Sequence, residues 1–241
     1  MKRFLLSILC LLLLCSTAAA YTDSFSGMNN DEDYQALLDV IKNGGSAEAA
    51  ENAYMKYISK NIDDISASRT EYQMVRYYVD TGNEEKAEEH LDKERSYYNA
   101  ALSSDASELE IRTAEADLIS AEYYLTGKMG TGMESSKLTK NLYKDYPNEF
   151  YIAIQEAFRL LYTPPIAGGN SKKALRIIND VESNAEGISR LDYYSMLVAK
   201  AMALSKTDEY DESDEYLDRA QEIYTFDNAV EDIRKNNRRG R

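Results

Sequence analysis

The side chains that usually carry catalysis are scarce in this chain. His90 is the single histidine. It lies in the run Glu84, Glu85, Glu88, Glu89 and reads as a surface side chain. The two cysteines, Cys10 and Cys15, both fall in the first twenty residues. With one imidazole and no later thiol, neither a zinc site of usual composition nor a Cys nucleophile is expected. A Ser-His-Asp triad would have to use His90, and no strand-turn-helix nucleophile motif surrounds any serine. The glycines of residues 127–132 lack the Lys-Ser/Thr pair of a phosphate loop. The acidic run Asp208, Glu209, Asp211, Glu212, Asp214, Glu215 lacks the central glycine and ligand order of a calcium loop. It reads as a solvated helix start, where acids complement the macrodipole. Carboxylates are plentiful, but nothing marks out two of them as an acid and base pair. The chain reads as non-enzymatic, with no cofactor.

Tyrosine is the unusual resource. There are 20, with no Trp, and they include four adjacent pairs: Tyr77-Tyr78, Tyr97-Tyr98, Tyr123-Tyr124 and Tyr193-Tyr194. Neighbours on a helix point about 100° apart, so one ring of each pair can pack inward while the other edges toward a groove. A ring with a polar tip suits recognition.

The elements that must position these rings follow from an internal repeat. A turn-forming residue is followed five positions later by Ala or Ser, and four after that by a residue that is usually bulky. The phrase recurs as Gly45–Ala50–Tyr54, Gly82–Ala87–Leu91, Gly130–Ser135–Thr139, Gly169–Ala174–Ile178 and Asp208–Ser213–Leu217. Successive turn residues are 37, 48, 39 and 39 apart. That period, with apolar residues at helical spacing and no alternating β pattern, predicts stacked helical hairpins. The small residue lets two helices approach, and the larger one fills the neighbouring gap. Tyr34, Leu37, Leu38 and Ile41 form the first inner face, and Ser46 is placed to cap the next helix. Three prolines punctuate, and none falls inside a proposed helix. In the insert Thr163–Gly169 the prolines end one helix, and Asn170 or Ser171 caps the next. A helix near 228–236 would close the stack.

This pattern resembles the tetratricopeptide repeat (TPR) superfamily. Gly82, Ala87 and Leu91 fit it, with Tyr78 four before the glycine; Gly130 and Pro147 reproduce its turn-to-proline spacing, and Tyr34 takes the usual Trp position. Leu38 and Val75 stand where the family prefers Gly, and Glu94 replaces a late Ala. The element Tyr162-Thr163-Pro164-Pro165-Ile166-Ala167-Gly168-Gly169-Asn170 resembles, more narrowly, exported proteins such as the periplasmic TPR-type accessory subunits of TRAP solute transporters. The resemblance implies an all-α, right-handed solenoid of about five hairpins over 31–225, with residues 226–241 as a C-terminal helix and basic tail. It also implies a concave face lined by the first helix of each hairpin. Tyr34, Tyr77, Tyr78, Tyr123, Tyr124, Tyr151, Tyr193 and Tyr194 are the expected lining.

Lys2 and Arg3, the apolar run Phe4–Leu14 and Ala18-Ala19-Ala20 have the layout of a secretory signal peptide, residues 1–20, cleaved near Ala20. Residues 21–30 then read as a flexible lead-in. The alternative is a lipoprotein acylated at Cys15, which would add membrane anchoring. The expected location is periplasmic or otherwise extracytoplasmic. Net charge is −14; without Lys2 and Arg3, 26 basic face 42 acidic residues, or −16. Such a surface repels nucleic acid and anionic lipid and favours a basic partner. The tail from Arg234 to Arg241 reverses the sign and reads as a solvated helix end; the alternatives are contact with cell wall, anionic lipid or a second copy. The expected function is a non-catalytic, exported scaffold that binds a peptide or partner protein. The alternative is a ligand-binding accessory of a solute transporter.

Overall fold

Five antiparallel helical hairpins and one closing helix make up the chain in a computed structural model that describes residues 20–184 and 186–241. The expected leader and its cysteines lie outside the described residues, apart from Ala20. After a short helix α1 (Ser26–Asn29) come α2 (Glu32–Lys42) and α3 (Ala47–Ile58), α4 (Asp64–Asp80) and α5 (Glu84–Ala101), α6 (Glu108–Thr126) and α7 (Met129–Asp145), α8 (Phe150–Tyr162) and α9 (Ser171–Asn184), and α10 (Arg190–Ser205) and α11 (Tyr210–Gln221). Helix α12 (Asn228–Gly240) closes the stack. Among the described residues there is no β-strand, only an isolated bridge between Thr22 and Glu149. The all-α array that the repeat predicts is the one observed.

Local chemistry accounts for most boundaries. Ser46 accepts from the Ala49 amide at 3.2 Å and starts α3; Asn170, not Ser171, caps α9 by accepting from Lys173 at 2.8 Å. Ser107 and Glu110 form a reciprocal capping box at the start of α6. The small repeat residues Ala50, Ala87, Ala174 and Ser213 are all fully enclosed, as close helix approach requires. In the insert, Pro165–Ala167 form a 3-10 turn, and the Asn170 amide reaches back to the Leu160 carbonyl at 2.9 Å. The third hairpin turns earlier than the repeat implies. Gly127, at φ +64°, ends α6, while Gly130 and Gly132 lie in the first turn of α7, where the Tyr123 ring packs against Gly132.

The lead-in is not a loose segment. Glu149 collects its polar groups: Oε1 accepts from the Ser24 amide at 2.7 Å, and Oε2 accepts from the Thr22 hydroxyl at 2.6 Å. Phe25 is buried beside Arg69. The basic tail also departs from a frayed end. It continues as α12 and lies on the chain's own acidic helix, with Arg234 on Asp218 at 2.6 Å and Arg241 on Asp214 at 2.7 Å. Asn237 is enclosed and donates to Ser213 at 2.9 Å, which fixes that register.

The array curls until its last hairpin meets its first. The Phe226 amide donates to the Lys42 carbonyl at 2.9 Å, the Thr225 amide to Asn43 at 2.9 Å, and Asn29 to Asp192 at 2.8 Å; Arg190 pairs with Asp39. Gly44, at φ +70°, leaves room for the Phe226 ring, which a Cβ would meet at 3.3 Å. Helices α4 and α10 are consequently covered on nearly every side.

Candidate functional site

Curling draws the C-terminal ends of the first helices together. Lys42 ends α2, Asp80 ends α4, Tyr124 lies near the end of α6 and Tyr162 ends α8. Lys42 and Asp80 line one small recess with Arg76 and Asp227. Arg76 is central. Its guanidinium lies 5.8 Å from the Tyr72 ring and 5.5 Å from the Tyr124 ring, within reach of cation–π attraction. The two nearby acids are already engaged. Asp80 accepts from the Tyr124 hydroxyl at 2.8 Å and from Asn228 at 3.3 Å; Asp227 accepts from the Tyr194 hydroxyl at 2.6 Å and from the Ala229 amide at 2.8 Å. The Arg76 Nε and the Gln73 Oε1 are buried without a hydrogen-bond partner among the described residues. Burial pushes the Lys42 ammonium down to about 8, with the Arg76 charge adding to the effect.

Beside this cluster lies a cleft of about 420 Å³ between α8, α10, α11 and α12. Tyr162, Met202, Tyr210 and Ile233 provide ring and apolar surface, while Ser205, Lys206, Asp232 and Asn236 provide polar groups. Tyr162 is 63% exposed, and Ala229, whose amide donates to Asp227, lines the cleft and links it to the cluster.

Of the eight tyrosines expected on the concave face, Tyr124 alone reaches this cluster with an exposed ring. Tyr34, Tyr77, Tyr78 and Tyr194 are core residues, each at most 5% exposed, and of these Tyr77 borders the small recess at Arg76. Tyr34 packs on Tyr57 with centroids 5.2 Å apart. The hydroxyls of Tyr77 and Tyr78 donate to the Gly45 carbonyl and to Glu51, each at 2.7 Å. Both members of that pair are inside because α4 is packed against α2, α5 and α6. Tyr151 donates to Asp117 at 2.6 Å, and its ring and the Phe25 ring, edge-on to each other, both contact the Arg69 guanidinium, at 4.2 and 3.7 Å. Tyr193 accepts from Arg219 at 2.6 Å on the outer side, and Tyr123 covers Gly132. Lys42, Arg76, Asp227 and Tyr210 were not singled out by the helical pattern, which says which positions face inward but not which ends meet.

His90 is a correction of another kind. It is fully buried between α3, α4 and α5. Its Nδ1 lies 2.6 Å from Glu71 Oε2 and its Nε2 3.3 Å from Glu51 Oε1; Tyr54 donates to Glu71 at 2.5 Å, and the ring stacks on Tyr78. The imidazole follows Glu89 in sequence but occupies the inward side of the turn, next to Leu91. The acids that flank it in sequence point outward.

Among solved structures, the chain is similar to a tetratricopeptide repeat protein from Parabacteroides merdae ATCC 43184. The TM-score is 0.48 at 15% identity, over 90% of this chain and 72% of that one. No protein-family model matches the chain, and neither does any curated protein.

Proposed function

We propose that this chain is a non-catalytic, extracytoplasmic binding scaffold that takes a short segment of a partner protein into the cleft beside Arg76. The observation that carries this reading is the exposed ring of Tyr162 in a cleft whose floor is Met202 and Ile233 and whose rim carries Asp232. Aromatic rings beside fixed polar groups are the usual composition of a recognition hot spot. Asp232 in the cleft and the net charge of −14 favour a basic segment. Location outside the cytoplasm rests on the layout of residues 1–20 alone.

A second reading, a ligand-binding accessory of a solute transporter, is favoured by one feature. The curled array leaves a cleft rather than a long open groove, and its volume falls in the range of about 300–1,000 Å³ typical of small-ligand sites.

Retention of proteins from an envelope extract on immobilised protein tests both. The scaffold reading expects a retained protein that is released by high salt. Tyr162→Ala and Asp232→Lys should each weaken it by about tenfold, the cost of a hot-spot residue, while Tyr123→Ala, outside the cleft, leaves it unchanged. Retention that ignores both cleft variants overturns the assignment of this cleft. A small molecule that co-purifies in native mass spectrometry, with no protein retained, moves the assignment to the transporter accessory.

A further inference from the structure

Whole-chain charge conceals a basic band. Residues 128–176 hold eight basic and four acidic residues, whereas the rest of 21–241 holds 18 basic against 38 acidic. The band comprises α7, α8 and the start of α9. Lys128, Lys137, Lys140, Lys172 and Arg176 are exposed, and their side chains make no hydrogen bond or ion pair among the described residues. Elsewhere on the surface, lysines and arginines are commonly paired, as Lys60 is with Asp31 and Asp33.

The same two hairpins carry unusual apolar exposure at their turns. Met129 is 80%, Met133 70% and Ile166 100% exposed. Tyr124 lies near the end of α6 and Tyr162 ends α8, and α7 runs back between them packed on both helices. The α6–α7 and α8–α9 turns therefore lie on one edge of the array. Lys128 and Lys172 flank the tips, and Arg176, Lys137 and Lys140 follow within about three helical turns.

We infer that the turn edge of the third and fourth hairpins docks on an anionic bilayer surface. Met129, Met133 and Ile166 enter the interface, and the unpaired lysines meet lipid headgroups. Two observations favour a bilayer over a protein. The apolar side chains are protruding tips and not the walls of a groove that would receive a partner's side chains. The cations around them are unpaired in a chain otherwise rich in carboxylates, so the band is complementary to a negatively charged plane. Attachment would be peripheral, since no described helix is long and apolar enough to cross a membrane.

The chain has no tryptophan, so a single introduced Trp reports its own surroundings. Ile166→Trp and Met129→Trp should blue-shift in emission with vesicles containing phosphatidylserine or phosphatidylglycerol, and not with neutral phosphatidylcholine vesicles. Leu102→Trp and Met55→Trp, at comparably exposed positions in other hairpins, should stay unshifted. Because the comparison is made within one chain, binding through residues 1–19 would not produce that contrast. Reversing Lys137, Lys140 and Lys172 to Glu should weaken partitioning by at least about tenfold, with thermal unfolding unchanged because all three are exposed. No shift at residues 166 and 129, or an equal shift at residues 102 and 55, overturns the inference. So does a shift produced by a protein from an envelope extract and not by vesicles, which would assign this edge to a protein partner.

Discussion

Asp192 shows how a single buried acid sets a measurable property. It is 3% exposed and accepts from Ser189 Oγ at 2.6 Å and from Asn29 Nδ2 at 2.8 Å. Burial pushes its carboxyl up from 3.8 to about 6, against the lowering effect of the Ser189 bond. A raised acid binds its proton more tightly in the folded state. Its contribution to stability is therefore fully present below pH 3.8 and is lost as pH rises to about 6. Asp192→Asn removes that dependence. The unfolding free energy of Asp192→Asn minus that of the parent should rise between pH 4 and 6 by up to about 3 kcal/mol, then level off. Urea titrations at several pH values read this; a flat difference would show that Asp192 ionises as freely folded as unfolded. Glu94 is a more extreme neighbour in the same interior. It is fully buried, neither carboxyl oxygen has a hydrogen-bond partner among the described residues, and burial raises it well above the usual range. A protonated, neutral side chain is what such a site tolerates.

At the scale of the element, caps and small residues explain why the hairpins start and stop where they do. The Ser107–Glu110 box is the clearest case, with the Glu110 carboxylate accepting from the Ser107 amide at 2.8 Å. Ser107→Ala should cost about 1 kcal/mol and fray the first turn of α6, seen as faster amide exchange at residues 108–110. The cap of α9, on Asn170, should be unaffected. Such signals were legible in advance. Ser46 was read as a cap and is one, and Tyr146-Pro147 marks the end of α7. The glycine-rich stretch 127–132 marks the turn between α6 and α7, but only Gly127 is left-handed, and Gly130 and Gly132 are already helical.

The whole molecule is decided by closure. A solenoid of five hairpins can stay open, and in this one the loop after α11 and the start of α10 are seated on α2 and its C-terminal turn, while α12 packs on α10 and α11. Gly44 is the point where the chain permits it. Gly44→Ala introduces a Cβ at positive φ and against the Phe226 ring. It should destabilise the protein by about 1–2 kcal/mol, and hydrogen exchange should rise at Thr225 and Phe226 before it rises in α6 or α7. Uniform loosening would mean that the seam is not a separate cooperative unit. Closure also accounts for the fate of the tyrosines. An open array would leave Tyr34 and Tyr194 beside a groove, whereas a closed one leaves them inside.

Periodicity by itself determined the helical class, the five hairpins and the closing helix, and local spacing gave the caps at Ser46 and Asn170, because each depends on residues within about ten positions of one another. The chain's shortage of imidazole and thiol was equally plain. Only the tertiary structure decided which helix ends meet, that Glu71 and Glu51 enclose His90, that the basic tail is taken up by α11, and that Arg76 lies between the Tyr72 and Tyr124 rings. Those outcomes depend on a small rotation per hairpin summed over five of them. No local spacing records that sum, and a modest change in it would exchange a closed seam for an open groove.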